Sequence, residues 1–119
     1  MPRKSVFDMD AGSVYQALVN KAERKGRTQA EVDEVTCWLL GYTPQELANQ
    51  LLTNITYGEF LSNAPQVNGC ADLITGTVCG VRVETIEDSL TKLMRQLDKL
   101  VDELAKGRPI DRILRSRGA

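Results

Sequence analysis

Apolar residues recur along this chain every three or four positions, with polar side chains between, from about residue 13 to residue 64 and again from about 85 to 114. That is the period of helices with one buried stripe. The first helix is read from Ser13 as its N-cap to about Lys25, with Tyr15, Leu18, Val19 and Ala22 inward and Gly26 as the left-handed stop. Three later starts carry the signal Thr-x-x-Glu, at Thr28 with Glu31, Thr43 with Glu46, and Thr56 with Glu59. In that motif the threonine hydroxyl accepts from the backbone N–H three residues on. The glutamate reaches back to the threonine's own N–H, so two donors without helical partners are satisfied together.

The second helix accordingly buries Val32, Val35, Trp38 and Leu39 before Gly41 stops it. The third has Pro44 in its first turn, where a missing N–H costs nothing, and buries Leu47, Ala48, Leu51, Leu52 and Ile55. A short fourth helix turns Phe60, Leu61 and Ala64 inward and closes at Pro65. The longest helix is predicted from about Thr85 to Lys106. Glu84, Glu87 and Asp88 complement its start, Gly107 its end, and the pairs Asp88 with Lys92 and Lys99 with Glu103 its flank. Its Ile86, Leu90, Leu93, Leu97, Leu100 and Leu104 alternate steps of four and three, a coiled-coil seam. Met94 and Val101 widen that seam into the stripe of a helix facing its own core, and this reading is preferred. Arg108-Pro109 opens a last short helix with Ile110, Ile113 and Leu114.

Residues 65–84 break the rhythm. They are apolar, β-branched and interrupted by Gly69, Gly76 and Gly80, so propensity opposes a long helix. A short helix over Leu73 to Val78, then an extended Val81-Arg82-Val83, is the preferred reading; a small hairpin competes with it. The predicted fold is an all-α, compact (orthogonal) helical bundle of about five to six helices in one domain, residues 1–119. Residues 1–10 are an N-terminal arm, 65–84 a glycine-rich crossover, and 115–119 a frayed basic tail.

Composition narrows the chemistry more than it names any. With 119 residues, 42% hydrophobic and 26% charged, the chain suits one globular core. A net charge of −1 supplies no global field for nucleic acid or an anionic membrane. No apolar run approaches a membrane span and no signal peptide is visible, so a cytoplasmic setting is expected. Cys37, Cys70 and Cys79 lack framework spacing, which fits a reducing compartment. With no histidine in the chain, Ser-His-Asp and Cys-His catalysis and mixed Cys/His zinc sites are excluded. No cofactor or metal is implied.

Four stretches carry a resemblance: Lys-Ala-Glu-Arg-Lys-Gly-Arg-Thr at 21–28, Trp-Leu-Leu-Gly-Tyr at 38–42, Leu-Ile-Thr-Gly-Thr-Val-Cys-Gly-Val-Arg-Val-Glu at 73–84, and Leu-Asp-Lys-Leu-Val-Asp-Glu-Leu-Ala-Lys-Gly at 97–107. Together they resemble a small bacterial family known as domain of unknown function 2200. The resemblance implies a helical bundle and no activity. Its pattern implies proline after Ile-Glu-Asp at 86–88, where this chain has Ser89.

Three candidate surfaces follow from the residues. The crossover brings Cys79, Arg82 and Glu84 close in sequence as thiol, anion anchor and carboxylate, provided a pocket joins them. Lys21, Arg24, Lys25 and Arg27 form the densest basic cluster. It is read either as helix-end electrostatics or as an anion patch shared with Arg108, Arg112, Arg115 and Arg117. Asp98 and Asp102 share a helix face and read as ordinary mixed-charge surface rather than an acid/base pair. The expected function is a non-enzymatic, cytoplasmic protein-interaction or self-association domain using residues 73–84 and the exposed flank of the long helix. The competing readings are a small-ligand or enzymatic site under 73–84, and weak nucleic-acid or anion binding through 21–27.

Overall fold

The three Thr-x-x-Glu signals all open their helices. In the computed structural model, which describes residues 6–69, 71–78 and 80–114, α2 (Gln29–Leu40), α3 (Pro44–Leu52) and α4 (Tyr57–Ser62) each begin with a complete capping box. The first helix, α1 (Ala11–Glu23), starts earlier than its local pattern suggests, with Asp10 rather than Ser13 as N-cap and the Ser13 N–H donating to the Asp10 carboxylate at 3.0 Å. The reason is tertiary. Tyr57 N–H donates to Met9 O at 2.8 Å and Ala11 N–H to Ile55 O at 3.0 Å, so the chain before α1 is pinned alongside the start of α4. Residues 6–10 are thus part of the packed body, Val6–Asp8 forming a 3-10 turn.

At its other end α1 closes on Gly26, whose φ of 84° only glycine adopts without strain. There Arg27 N–H reaches Ala22 O and Gly26 N–H reaches Glu23 O, the double bond pattern of a glycine-terminated helix. Gly107 ends the long helix the same way.

That long helix, α5 (Ser89–Ala105), begins four residues later than the periodicity predicts. Asp88 caps it, and a 3-10 turn over Val83–Thr85 occupies the expected first turn. Ser89 therefore stands at the first helical position, where proline is equally at home, so a serine there leaves the helix start unchanged. α5 crosses α1, α2 and α4 and meets the short α6 (Ile110–Ile113). Leu97, Leu100, Val101 and Leu104 are fully buried and Leu93 and Met94 nearly so, which makes the leucine seam part of the chain's own core.

Expected inward positions divide unevenly in α3. Leu47 is buried and Leu51 packs against the core, but Ala48 is exposed and Leu52 is 85% exposed. A nine-residue helix touching the core along one line cannot bury both flanks of its stripe. Trp38 is half-buried at the core's edge rather than at its centre, where Phe60, Leu39 and Leu40 sit.

The crossover is neither a helix nor a plain extended run. A 3-10 turn, Ala71–Leu73, leads into a two-stranded antiparallel hairpin, β1 (Thr77–Val78) and β2 (Val81–Arg82), with Thr77 opposite Arg82. The hairpin alternative therefore describes this segment better than the short helix. Ala71, Ile74 and Val83 plug it into the body. The fold is all-α but for this hairpin, with six α-helices among the described residues. Its radius of gyration, 13.7 Å, is close to the value of about 13.5 Å for a compact chain of this length.

Candidate functional site

Where the end of α4 faces the start of α5, a groove runs down to the apolar core. Leu61, Ser62 and Val67 form one wall of an open groove of about 490 Å³, and Ser89, Leu90, Lys92, Leu93 and Gln96 form the other. That volume lies within the range of small-ligand and side-chain pockets. Leu61 and Leu93 belong to the core, Leu90 packs against it, and Val67 is 43% exposed.

The Val67 wall is held by the backbone. Gln66 N–H donates to Leu40 O at 3.2 Å and Asn68 N–H to Leu39 O at 2.9 Å, while the Asn68 amide reaches Trp38 O at 3.2 Å. Carbonyls at the end of α2 that lack helical partners thereby fix the loop. The approach is so close that a Cβ on Gly41 would lie 2.4 Å from Gln66 O. Deeper in, the buried Gln96 amide donates to Ala71 O at 3.1 Å, tying α5 to the crossover.

Of the polar residues on this groove, Gln96 is committed to the crossover, while Ser62, Ser89 and Lys92 are left to the groove. Lys92 is half-buried and makes no ion pair among the described residues. Its expected partner, Asp88, instead accepts from the Thr91 N–H at 2.8 Å and the Thr91 hydroxyl at 2.7 Å, bonds that hold its carboxyl below the usual range. Lys99 likewise does not pair with Glu103; it donates to Thr77 O at 3.3 Å. Sequence reasoning placed Leu61 in the core and Lys92 in a helix pair, and it did not see Val67 or Gln96 as surface-lining. No local signal marks a groove made by segments almost thirty positions apart.

A second, smaller groove of about 410 Å³ is lined by Ala30, Asp33, Glu34, Cys37 and Pro44. Beside it the Tyr15 hydroxyl donates to Asp33 at 2.5 Å. Burial, then the carboxylates of Asp33 and Glu46, push the Cys37 thiol up, so it stays protonated and a poor nucleophile.

The residues expected to carry chemistry are placed as follows. Arg82 and Glu84 pair with each other at 3.3 Å, with Arg82 71% exposed. Glu84 also accepts the Gly76 N–H at 3.0 Å, and its carboxyl is held low by its own and Gly76's N–H groups and then by Arg82. These contacts brace the hairpin, and neither residue lines either groove. Cys79, like Cys70, Arg115 and Arg117, lies outside the described residues.

In the basic cluster, Lys21 pairs with Asp102 at 3.4 Å. Arg27 bonds Glu31 and donates to Arg108 O at 2.7 Å, which joins α2 to the end of α5. Arg24 and Lys25 are exposed, as is Arg112. Two of the four cations thus serve internal contacts.

Asp98 and Asp102 sit in opposite electrostatic settings. Burial raises the Asp98 carboxyl despite Arg95 at 3.3 Å and the charge of Lys21. Burial also acts upward on Asp102, but Lys106 and Lys21 outweigh it and hold its carboxyl low. Near Asp98 the Tyr57 hydroxyl is buried with no hydrogen-bond partner, its pKa raised by burial and then by Asp98. No group of three or more Cys, Asp or Glu among the described residues is arranged to hold a metal ion. No helix among them is long and apolar enough to cross a membrane.

A family model described as an uncharacterized protein conserved in bacteria, DUF2200, matches residues 5–115, and the chain belongs to that family. The crystal structure of uncharacterized protein SP1917 is similar, with a TM-score of 0.89 and 42% sequence identity, over 95% of this chain and 94% of that one. No curated protein matches the chain.

Proposed function

We propose that this chain is a non-catalytic interaction domain of the cytoplasm that docks an apolar segment of a partner protein in the groove between α4 and α5. The observation that supports this is the groove itself: the exposed Val67 and the partly buried Leu90 flank a concavity floored by the core residues Leu61 and Leu93, beside a wall anchored by backbone hydrogen bonds. A preformed apolar concavity binds at lower ordering cost than a flexible surface. The other large apolar side chains exposed among the described residues, Met9, Leu52 and Leu73, line neither groove.

The leucine seam is unavailable for a coiled-coil homodimer, because its central members are fully buried.

The test is a titration of methyl-labelled protein with 1-hexanol, followed by NMR. Shifts are expected at the methyls of Leu61, Val67, Leu90 and Leu93 and are lost in Val67→Asp. Shifts that are absent, or equal at Leu52, overturn the reading. Light scattering over a hundredfold concentration range identifies the occupant: a dimer abolished by Val67→Asp makes it a second copy, and a monomer makes it another protein.

A further inference from the structure

Among the described residues Lys92 is the one charged side chain lining the α4–α5 groove, and it has no ion-pair partner among them. Its neighbours on the groove are the Ser62 and Ser89 hydroxyls, neither of which is hydrogen-bonded to a described residue, and four apolar side chains. The Lys92 stem is half-buried along the apolar walls, which sets its ammonium at the groove, where an anion that arrives with apolar surface attached can meet both. The nearest carboxylate on its own helix, Asp88, is already committed to Thr91.

We propose that the groove selects a partner segment that sets a carboxylate beside apolar side chains, with Lys92 as counter-charge and Ser62 and Ser89 as hydrogen-bond donors. This rests on the groove being the docking surface, and it adds the sign and the chemistry of what docks. An aliphatic or aromatic residue next to an Asp, a Glu or a chain-terminal carboxylate has the required form. A basic apolar segment is disfavoured by the same charge.

Three probes of equal chain length separate the charge from the groove: sodium octanoate, 1-octanol and octylammonium chloride. Each is titrated into the full chain and followed at the methyls of Leu61, Val67, Leu90 and Leu93. Octanoate is expected to bind about threefold or more tighter than octanol, the size of a partly solvated ion pair, and octylammonium more weakly than either. The preference should vanish in Lys92→Met and turn toward octylammonium in Lys92→Glu. Thermal unfolding of each variant shows that the fold is intact. Octanol binding as tightly as octanoate overturns the charge assignment and leaves the docking groove standing. No response to any of the three removes the groove reading as well.

Discussion

The two halves of α5 repeat the same spacing of leucines and meet different fates. Leu97, Leu100 and Leu104, in the C-terminal half, are completely covered by α1, α2 and their neighbours. In the N-terminal half, Leu93 is still nearly buried, but Leu90 is only partly covered and faces α4 and the 66–68 loop across an open groove. The pattern of a helix states which side is apolar; what covers that side is decided by segments far away in the chain.

The largest expected effect tests whether this contrast is energetic as well as geometric. Leu100→Ala empties a fully buried site and should destabilise the fold by about 3–4 kcal/mol in urea unfolding. Leu90→Ala removes side chain that solvent already reaches and should cost below about 1 kcal/mol. The same Leu90 variant should weaken hexanol binding, which Leu100→Ala changes only through unfolding. Equal losses of stability at the two positions would mean that the groove is closed in solution.

Gly41 sharpens the contrast from the opposite wall. Its φ of 83° and the Gln66 backbone 2.4 Å from a would-be Cβ leave alanine nowhere to go unless the loop moves. Gly41→Ala should cost about 2–3 kcal/mol and displace Val67, so groove binding falls in the molecules that remain folded. A variant that loses stability but binds hexanol unchanged would uncouple the loop from the groove.

How far such features are legible in the sequence depends on whether their cause is local. The capping boxes at Thr28, Thr43 and Thr56 each involve four consecutive residues, and all three form. Gly26, Gly41 and Gly107 stop their helices for an equally local reason, a positive φ. Ser13 loses the cap of α1 to Asp10 because residues 9–11 are bonded to 55–57, a contact no window of sequence contains. Leu52 fits the periodicity of its helix yet is exposed, since α3 has too little neighbour on that side. The candidate site suffers from the same limit. Arg82 and Glu84 are legible because they lie two positions apart in sequence, and that closeness lets them pair with each other. The groove was not visible, because Val67 and Leu90 become neighbours only after folding.

Asp98, at the middle of α5, probes the buried half through pH. Its carboxyl is raised by burial, so over the range just above the ordinary value of about 3.9 the folded state holds this proton more firmly than the unfolded state. The corresponding stability is complete below the unfolded pKa and is lost as pH rises through the folded one. Asp98→Asn lacks that loss. Its melting temperature relative to the parent should therefore become more favourable, by a few degrees at most, on going from about pH 4 to about pH 7. A gap that is flat, or that moves the other way, would show that Arg95 and Lys21 outweigh burial at this carboxylate.

The smallest effect is expected at Tyr57, where α4 meets the region of Asp98. Its ring stacks on Phe60 with centroids 6.0 Å apart, while its hydroxyl is buried without a partner. Phenylalanine keeps the ring contact and removes a polar atom that has given up water and gained no hydrogen bond. Tyr57→Phe should therefore be neutral or stabilising by up to about 1 kcal/mol. A loss of that size instead would mean that the hydroxyl is satisfied in solution, for example by a water shared with Asp98. In that case the double variant with Asp98→Asn would lose less than the sum of the two single changes, because both remove the same bridge.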